Sequence, residues 1–165
     1  MNNFIKRTIS GVGFAAVMLA AFLTNKFVFG AVMLFALVVM MWEFLRMTCG
    51  KEYRYSQILS ILAGATLFTL IWLFKGFNFP GRLVILAFVP VFILMINSLY
   101  VKDKSRFNKF ANLYTAIIYI AVPWSVINFA AFGPEGEFNG MLLLSFFAII
   151  WGSDVGAYLF GITLG

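Results

Sequence analysis

Histidine is absent from the 165 residues and cysteine occurs once. The first absence removes Ser-His-Asp triads, HExxH zinc sites and histidine general bases. The second removes any internal disulfide and, with the first, argues against zinc. Charge is also scarce: Lys and Arg number twelve, Asp and Glu six, and together they make up 11% of the chain. An ordinary soluble domain is about a quarter charged. Any chemistry must therefore run on carboxylates, hydroxyls, backbone groups, Lys or Arg.

What is present is apolar. Hydrophobic residues make up 63% of the chain and aromatics 19%. One soluble core of this length cannot hide so much apolar surface. Six apolar runs are long enough, or nearly so, to cross a hydrocarbon layer about 30 Å thick. They cover residues 8–24, 27–47, 56–74, 83–101, 110–132 and 139–162. The segments are apolar on all faces, as membrane helices are. The expected fold is all-α: a polytopic integral membrane protein of about six transmembrane helices, forming one membrane domain over 1–165. Lys6-Arg7 before the run Ile9 to Leu23 resembles the start of a signal peptide. No clean small-x-small cleavage site follows, so the run is read as a retained first helix.

The net charge of +6 would suggest nucleic acid in a soluble protein. Here the cations sit in short loops, where no contiguous basic surface can form, so nucleic acid is excluded as a partner. One side of the alternating spans collects Lys6, Arg7, Arg46, Lys51, Arg54, Lys102, Lys104, Arg106 and Lys109. The other collects Lys26, Lys75 and Arg82. The positive-inside rule places the richer side, the N-terminus and Gly165 in the cytoplasm. Cys49 falls where a span meets a basic loop, which fits an interfacial thiol better than an acylation site. Pro90 and Pro123 fall inside spans and predict kinks.

Glu52, Asp103, Glu135 and Glu137 lie in loops, whereas Glu43 and Asp154 lie in or beside apolar runs. A carboxylate at that depth costs several kcal/mol on some scales and about 3 kcal/mol on others, so it is a functional candidate. Glu43, in Trp42-Glu43-Phe44-Leu45-Arg46, either reaches headgroup water beside Arg46 or supports an active cavity. Asp154 follows an almost wholly apolar run and has polar and small neighbours: Trp151-Gly152-Ser153-Asp154-Val155-Gly156-Ala157-Tyr158-Leu159-Phe160-Gly161. On a helix, Asp154, Tyr158 and Gly161 share a face. Gly152 with Gly156, and Gly161 with Gly165, form GxxxG pairs that admit a neighbouring helix. An oxygen-only site suits Mg²⁺ held by one or two carboxylates and phosphate oxygens. Phosphoryl or nucleotidyl transfer to a lipid is then one option. A proton-coupled transporter, a channel subunit and a membrane scaffold are others.

The Asp154 stretch resembles the Asp-x-x-Ala-Tyr-x-x-Gly segment of the phosphatidate cytidylyltransferases (CDP-diacylglycerol synthases). Arg7-Thr8-Ile9-Ser10-Gly11 is similar to that family's Arg-x-x-Ser/Thr-Gly start. Glu43, Tyr119 and Pro123 fall where the family carries Glu, Tyr and Pro. The resemblance implies CTP and phosphatidic acid as substrates, Mg²⁺ as cofactor and a bacterial-type inner membrane as location. It leaves room for a homodimer. It assigns Asp154 to the catalytic pocket as a metal or water ligand or a partner for a basic group, Ser153 and Tyr158 to substrate binding, and Glu43 to cavity support. Two departures stand out. Ile162 follows Gly161 where the family has a basic residue, and the family's C-terminal signature with His-Gly-Gly is absent. The resemblance therefore implies an N-terminal part of such an enzyme, inactive by itself.

Overall fold

The computed structural model describes residues 3–100 and 104–164. Side-chain surroundings are described for these residues except 3–8, 10, 104–108, 159 and 162–164. The side chains of Lys6, Arg7, Thr8, Ser10, Lys104 and Arg106, together with Lys102, Asp103 and Gly165, therefore lie outside the described set. The helices run in chain order: α1 Asn3–Leu23, α2 Lys26–Thr48, α3 Arg54–Phe77, α4 Phe88–Leu99, α5 Lys104–Thr115, α6 Val122–Ala131 and α7 Met141–Leu164. Lys51–Tyr53 and Gly81–Ala87 are 3₁₀ turns leading into α3 and α4, and Ala116–Ala121 is a π-helical segment joining α5 to α6. Among the described residues the β-pairing is a single bridge between Phe132 and Phe138. The all-α polytopic fold expected from the sequence is present.

Five stretches are long and apolar enough to cross a membrane: Lys26–Thr48, Lys51–Phe77, Gly81–Leu99, Lys109–Ala131 and Met141–Tyr158. Helix α1 adds a shorter apolar stretch, Gly11–Leu23, inside a 21-residue helix.

Helix α3 is the hub, packing on α2, α4, α6 and the π segment. Its neighbours come close because it offers small residues. Ser56, Ser60, Ala63 and Gly64 are buried, and a Cβ added at Gly64 would stand 2.9 Å from Ala121 Cβ. Helix α2 buries Phe29, Met33, Leu37, Met41 and Leu45, a stripe at four-residue spacing. Gly30 sits under the indole of Trp72, 2.6 Å from where its Cβ would be. Without a hydrophobic force between helices in lipid, packing and interhelical hydrogen bonds must hold the bundle. Ser60 Oγ donates to Leu113 O at 2.8 Å, Asn97 Nδ2 to Ser56 Oγ at 2.8 Å, and Trp124 Nε1 to Met33 O at 2.9 Å.

The contacts sort the connections between two ends. At one end Lys26 Nζ donates to Gly76 O at 2.9 Å, and Gly136 packs on the carbonyl of Lys75. The α1–α2, α3–α4 and α6–α7 connections are therefore neighbours. At the other end Lys109 Nζ and Asn112 Nδ2 donate to Thr48 O at 3.3 and 3.4 Å. This end joins the close of α2 to α5. The division matches the alternation drawn from the cation count.

The two prolines inside spans, Pro90 and Pro123, lie at changes of helix type. Pro90 is in the first turn of α4, after the 3₁₀ turn. A missing N–H costs little there, so the α-helical ladder is spared. Pro123 lies in the first turn of α6 and follows the π segment, where Val122 N–H reaches back to Ile117 O. A proline ring conflicts with the carbonyl four residues earlier, here Tyr119, and the wider π turn gives it room.

Candidate functional site

Helix α7 carries the sequence-predicted site and starts in a tightly built corner. The α6–α7 connection closes through Gly133 N to Glu137 O at 3.0 Å and Asn139 N to Ala131 O at 2.8 Å. Gly136 takes a φ of +82°, which a glycine adopts without strain. Asn139 Oδ1 accepts the N–H of Met141 at 3.0 Å and opens the helix. Gly140 lies against the backbone of Phe22, so α1 and α7 meet with no room for a side chain.

From that corner α7 packs on α1 and α6. Leu143, Leu144 and Phe147 are half-buried against the core. The Phe147 ring lies 5.9 Å from Phe22, 6.1 Å from Phe14 and 6.3 Å from Trp151. Between Met141 and Tyr158 no residue is fully buried, and Ser153, Asp154 and Tyr158 are all exposed. Phe147, Trp151, Asp154 and Tyr158 form one helical stripe, so the α1-facing side of α7 continues into its polar segment. Within the described residues Asp154 has no hydrogen bond or ion pair.

Depth can be read from helix geometry. Asp154 lies about 20 Å along α7 from Met141, at a rise of 1.5 Å per residue. Glu43 lies about 26 Å along α2 from Lys26 on the same measure. Both helices start at the end that holds Lys26, Lys75 and Arg82, so both carboxylates lie toward the opposite end. Glu43 is exposed on α2, a helix that packs mainly on α3 and α1. Tyr119 is exposed on the π segment, 77% accessible.

Among the described residues, three of the GxxxG glycines have open space beside them, and Gly165 lies outside the described set. A Cβ at Gly152, Gly156 or Gly161 would meet nothing within 4 Å. The close approaches are instead at Gly30, Gly64, Gly76 and Gly140. Among the described residues no group of three or more His, Cys, Asp or Glu could hold a metal. Asp154 offers one hard oxygen ligand, with Ser153 and Tyr158 as neighbouring hydroxyls. One carboxylate fits an Mg²⁺ that arrives with substrate phosphates and water, not a resident cage.

Asn97, Ser98, Ser125 and Asn128 hydrogen-bond within the chain, three of them along their own helix, and Asn128 Oδ1 is buried without a partner. Asn97 binds Ser56, Ser98 Oγ bonds to Met95 O, Ser125 Oγ to Ala121 O, and Asn128 Nδ2 to Ser125 O. In the sequence Arg46, Lys51 and Arg54 stand out as positive-inside markers, with Arg46 also beside Glu43. The structure brings them to one cavity with Trp42, Cys49 and Gln57. Sequence proximity of the three cations was the available signal.

A helical bundle with several membrane-crossing segments and a carboxylate exposed on its last helix defines a polytopic membrane protein. A model of the cytidylyltransferase family matches residues 5–165, and the chain belongs to that family. No curated protein and no solved structure matches it. The family uses CTP as the nucleotide substrate in nucleotidyl transfer, and the apolar helices make this member a membrane protein.

Proposed function

We propose that the protein is a phosphatidate cytidylyltransferase, which makes CDP-diacylglycerol and pyrophosphate from CTP and phosphatidic acid in phospholipid biosynthesis. The family match across residues 5–165, on a chain built as membrane helices, carries this reading. A lipid phosphate oxygen attacks the α-phosphorus of CTP and forms the new P–O bond. The bond from the α-phosphorus to the bridging oxygen breaks, and pyrophosphate leaves. Mg²⁺ carried by the nucleotide would neutralise charge on the phosphates. Asp154 would hold that ion or its water, which would supply charge neutralisation at the phosphates, and Ser153 and Tyr158 would donate hydrogen bonds to phosphate or ribose. Glu43 supports the cavity from α2. The cation-rich end faces the cytoplasm of a bacterial-type inner membrane, where CTP is supplied.

Residues 1–165 offer one wall of such a site, since Ser153, Asp154 and Tyr158 are all exposed. The purified 165-residue chain is therefore expected to be inactive. The test is CTP-dependent formation of CDP-diacylglycerol by the native gene product containing these residues. Asp154→Asn should lower kcat/KM by about 10²–10³, as for loss of one preorganised electrostatic group. Full activity in that variant, with normal membrane insertion, would sink the assignment of Asp154. Activity of the isolated 165-residue chain would overturn the one-wall reading.

A further inference from the structure

Helix α4 packs chiefly on α3, and Leu94 is its one buried residue. The span formed by α5, the π segment and α6 also packs on α3. Two elements that share a partner and hardly touch each other leave a slot between them. Ala63 and Leu67 of α3 form its floor. Phe88 and Val91 form one wall, and Ile118, Val122 and Val126 the other. The floor is closed, with Ala63 1% accessible, while the rim is open, with Ile118 67% and Phe88 55% accessible. The slot holds about 350 Å³. A second space of about 440 Å³ continues it along α4, past Phe92, Met95 and Leu99. Tyr114 lines both spaces.

The lining is hydrocarbon apart from the hydroxyls of Tyr114 and Ser98, and Ser98 Oγ already donates to Met95 O at 2.7 Å. An ordered water needs about two to four polar partners, so water does not suit the slot. Left empty, its walls would forfeit their dispersion contacts.

Length and width narrow the occupant further. From Ala87 to Leu99 the slot runs about 18 Å, at 1.5 Å per residue. The 3₁₀ turn Gly81–Ala87 takes up the preceding part of the span, about 14 Å at 2.0 Å per residue. The slot therefore lies in the leaflet next to the cation-rich end, about half of a core about 30 Å thick. A helix is about 10–12 Å across, so an 18 Å length of it fills about 1,400 Å³, well above either space. A single extended hydrocarbon chain matches the slot in length, width and chemistry.

We propose that one acyl chain of a bilayer phospholipid, from the leaflet at the cation-rich end, is held in this slot as a structural filler that ties α4 to the π segment. The slot reads no phosphate, so it accepts the chain whatever the headgroup. It lies away from the Asp154 segment, whose helix packs on α1 and α6. It does not rest on the transferase reading, because occupancy needs neither CTP nor turnover.

The test reconstitutes the native gene product containing these residues in dioleoyl phosphatidylcholine bilayers. A trace of phosphatidylcholine with a diazirine midway along one acyl chain is included. Irradiation and peptide mass spectrometry then map where the chain inserts. Label should concentrate on Phe88, Val91 and Ile118 about tenfold over Val17 and Phe35, a ratio that burial of two further methylenes supports. Val17 and Phe35 are fair comparisons, being 50% and 71% accessible on α1 and α2. V126W fills the slot from its wall and should lower label at Phe88 and Val91 to the Val17 level. V122W fills it from one turn away and serves if V126W fails to fold. D154N should label as wild type, so failure of the transferase assignment leaves this result unaffected. Equal label at the slot and at Val17 and Phe35 would reduce the lipid to the ordinary annulus and overturn the proposal. So would absence of label from the slot, the result if a second copy or another protein segment covers it. Undiminished slot label in a folded filling variant would overturn it as well.

Discussion

At Gly140 an added Cβ would run into the backbone carbonyl of Phe22, whereas at Gly152 it would meet nothing within 4 Å. Backbone cannot move aside as a flexible side chain can. Gly140→Ala should therefore destabilise the bundle by about 1–3 kcal/mol, the usual cost of overpacking. Gly152→Ala should leave the thermal midpoint of this chain unchanged, and thermal unfolding in detergent compares the two. Cys49 allows a chemical test at the same scale. Burial pushes its thiol up from the ordinary range, against the smaller opposing effects of the Thr48 hydrogen bond and the Lys109 charge. The fold thus favours the neutral thiol. The stability this contributes is present below the ordinary thiol pKa of about 8.5 and is lost as pH rises above it. Iodoacetamide should label native Cys49 more slowly than the unfolded chain at pH 8. The gap should narrow as pH rises.

The span that reads as one apolar run over 110–132 is three pieces: α5, the π segment Ala116–Ala121 and α6. A π turn amounts to one extra residue in an α-helix. Ala116, Ile117 and Ala121 are buried, while Ile118 is 67% exposed. Deleting Ile118 should convert the turn to regular helix and keep both flanking halves in phase with the core. Deleting Leu62, exposed in regular α3, should rotate the rest of that helix by about 100° and expose its buried face. Yield of folded protein by size-exclusion chromatography separates the two outcomes. Equal tolerance of both deletions would mean that the π turn does not set the register.

For the whole molecule, the two ends differ in charge, and the contacts of Lys26 with Gly76 and of Lys109 with Thr48 fix which connections share an end. With the richer end inside, a periplasm-active reporter fused after Glu135 should be active. A cytoplasm-active reporter should be active after Lys51. The reverse pattern would invert the proposed orientation and move Asp154 away from the CTP supply.

Hydrophobicity and its interruption were legible in the sequence. Five crossing helices, α1, and the placement of connections at alternate ends follow from apolar length and charge, because lipid demands helices and short polar turns. The Asp154 segment was also legible, since a carboxylate in an apolar run is costly and rare. Packing was not. A helix that is apolar on every face does not announce which side it buries, so the Phe29-to-Leu45 stripe of α2 and the hub role of α3 emerge only from contacts. The GxxxG pattern of α7 showed which helix could be approached closely, but the close approaches lie at Gly30, Gly64, Gly76 and Gly140. Pattern reports permission, and only a neighbouring helix uses it. The sequence by itself determined that this is a membrane bundle with a carboxylate on its last helix. Only the tertiary structure decided that Ser153, Asp154 and Tyr158 are exposed among the described residues, and that Arg46, Lys51 and Arg54 meet at one cavity. Exposure and convergence depend on which helices pack together, and a one-dimensional pattern cannot specify that.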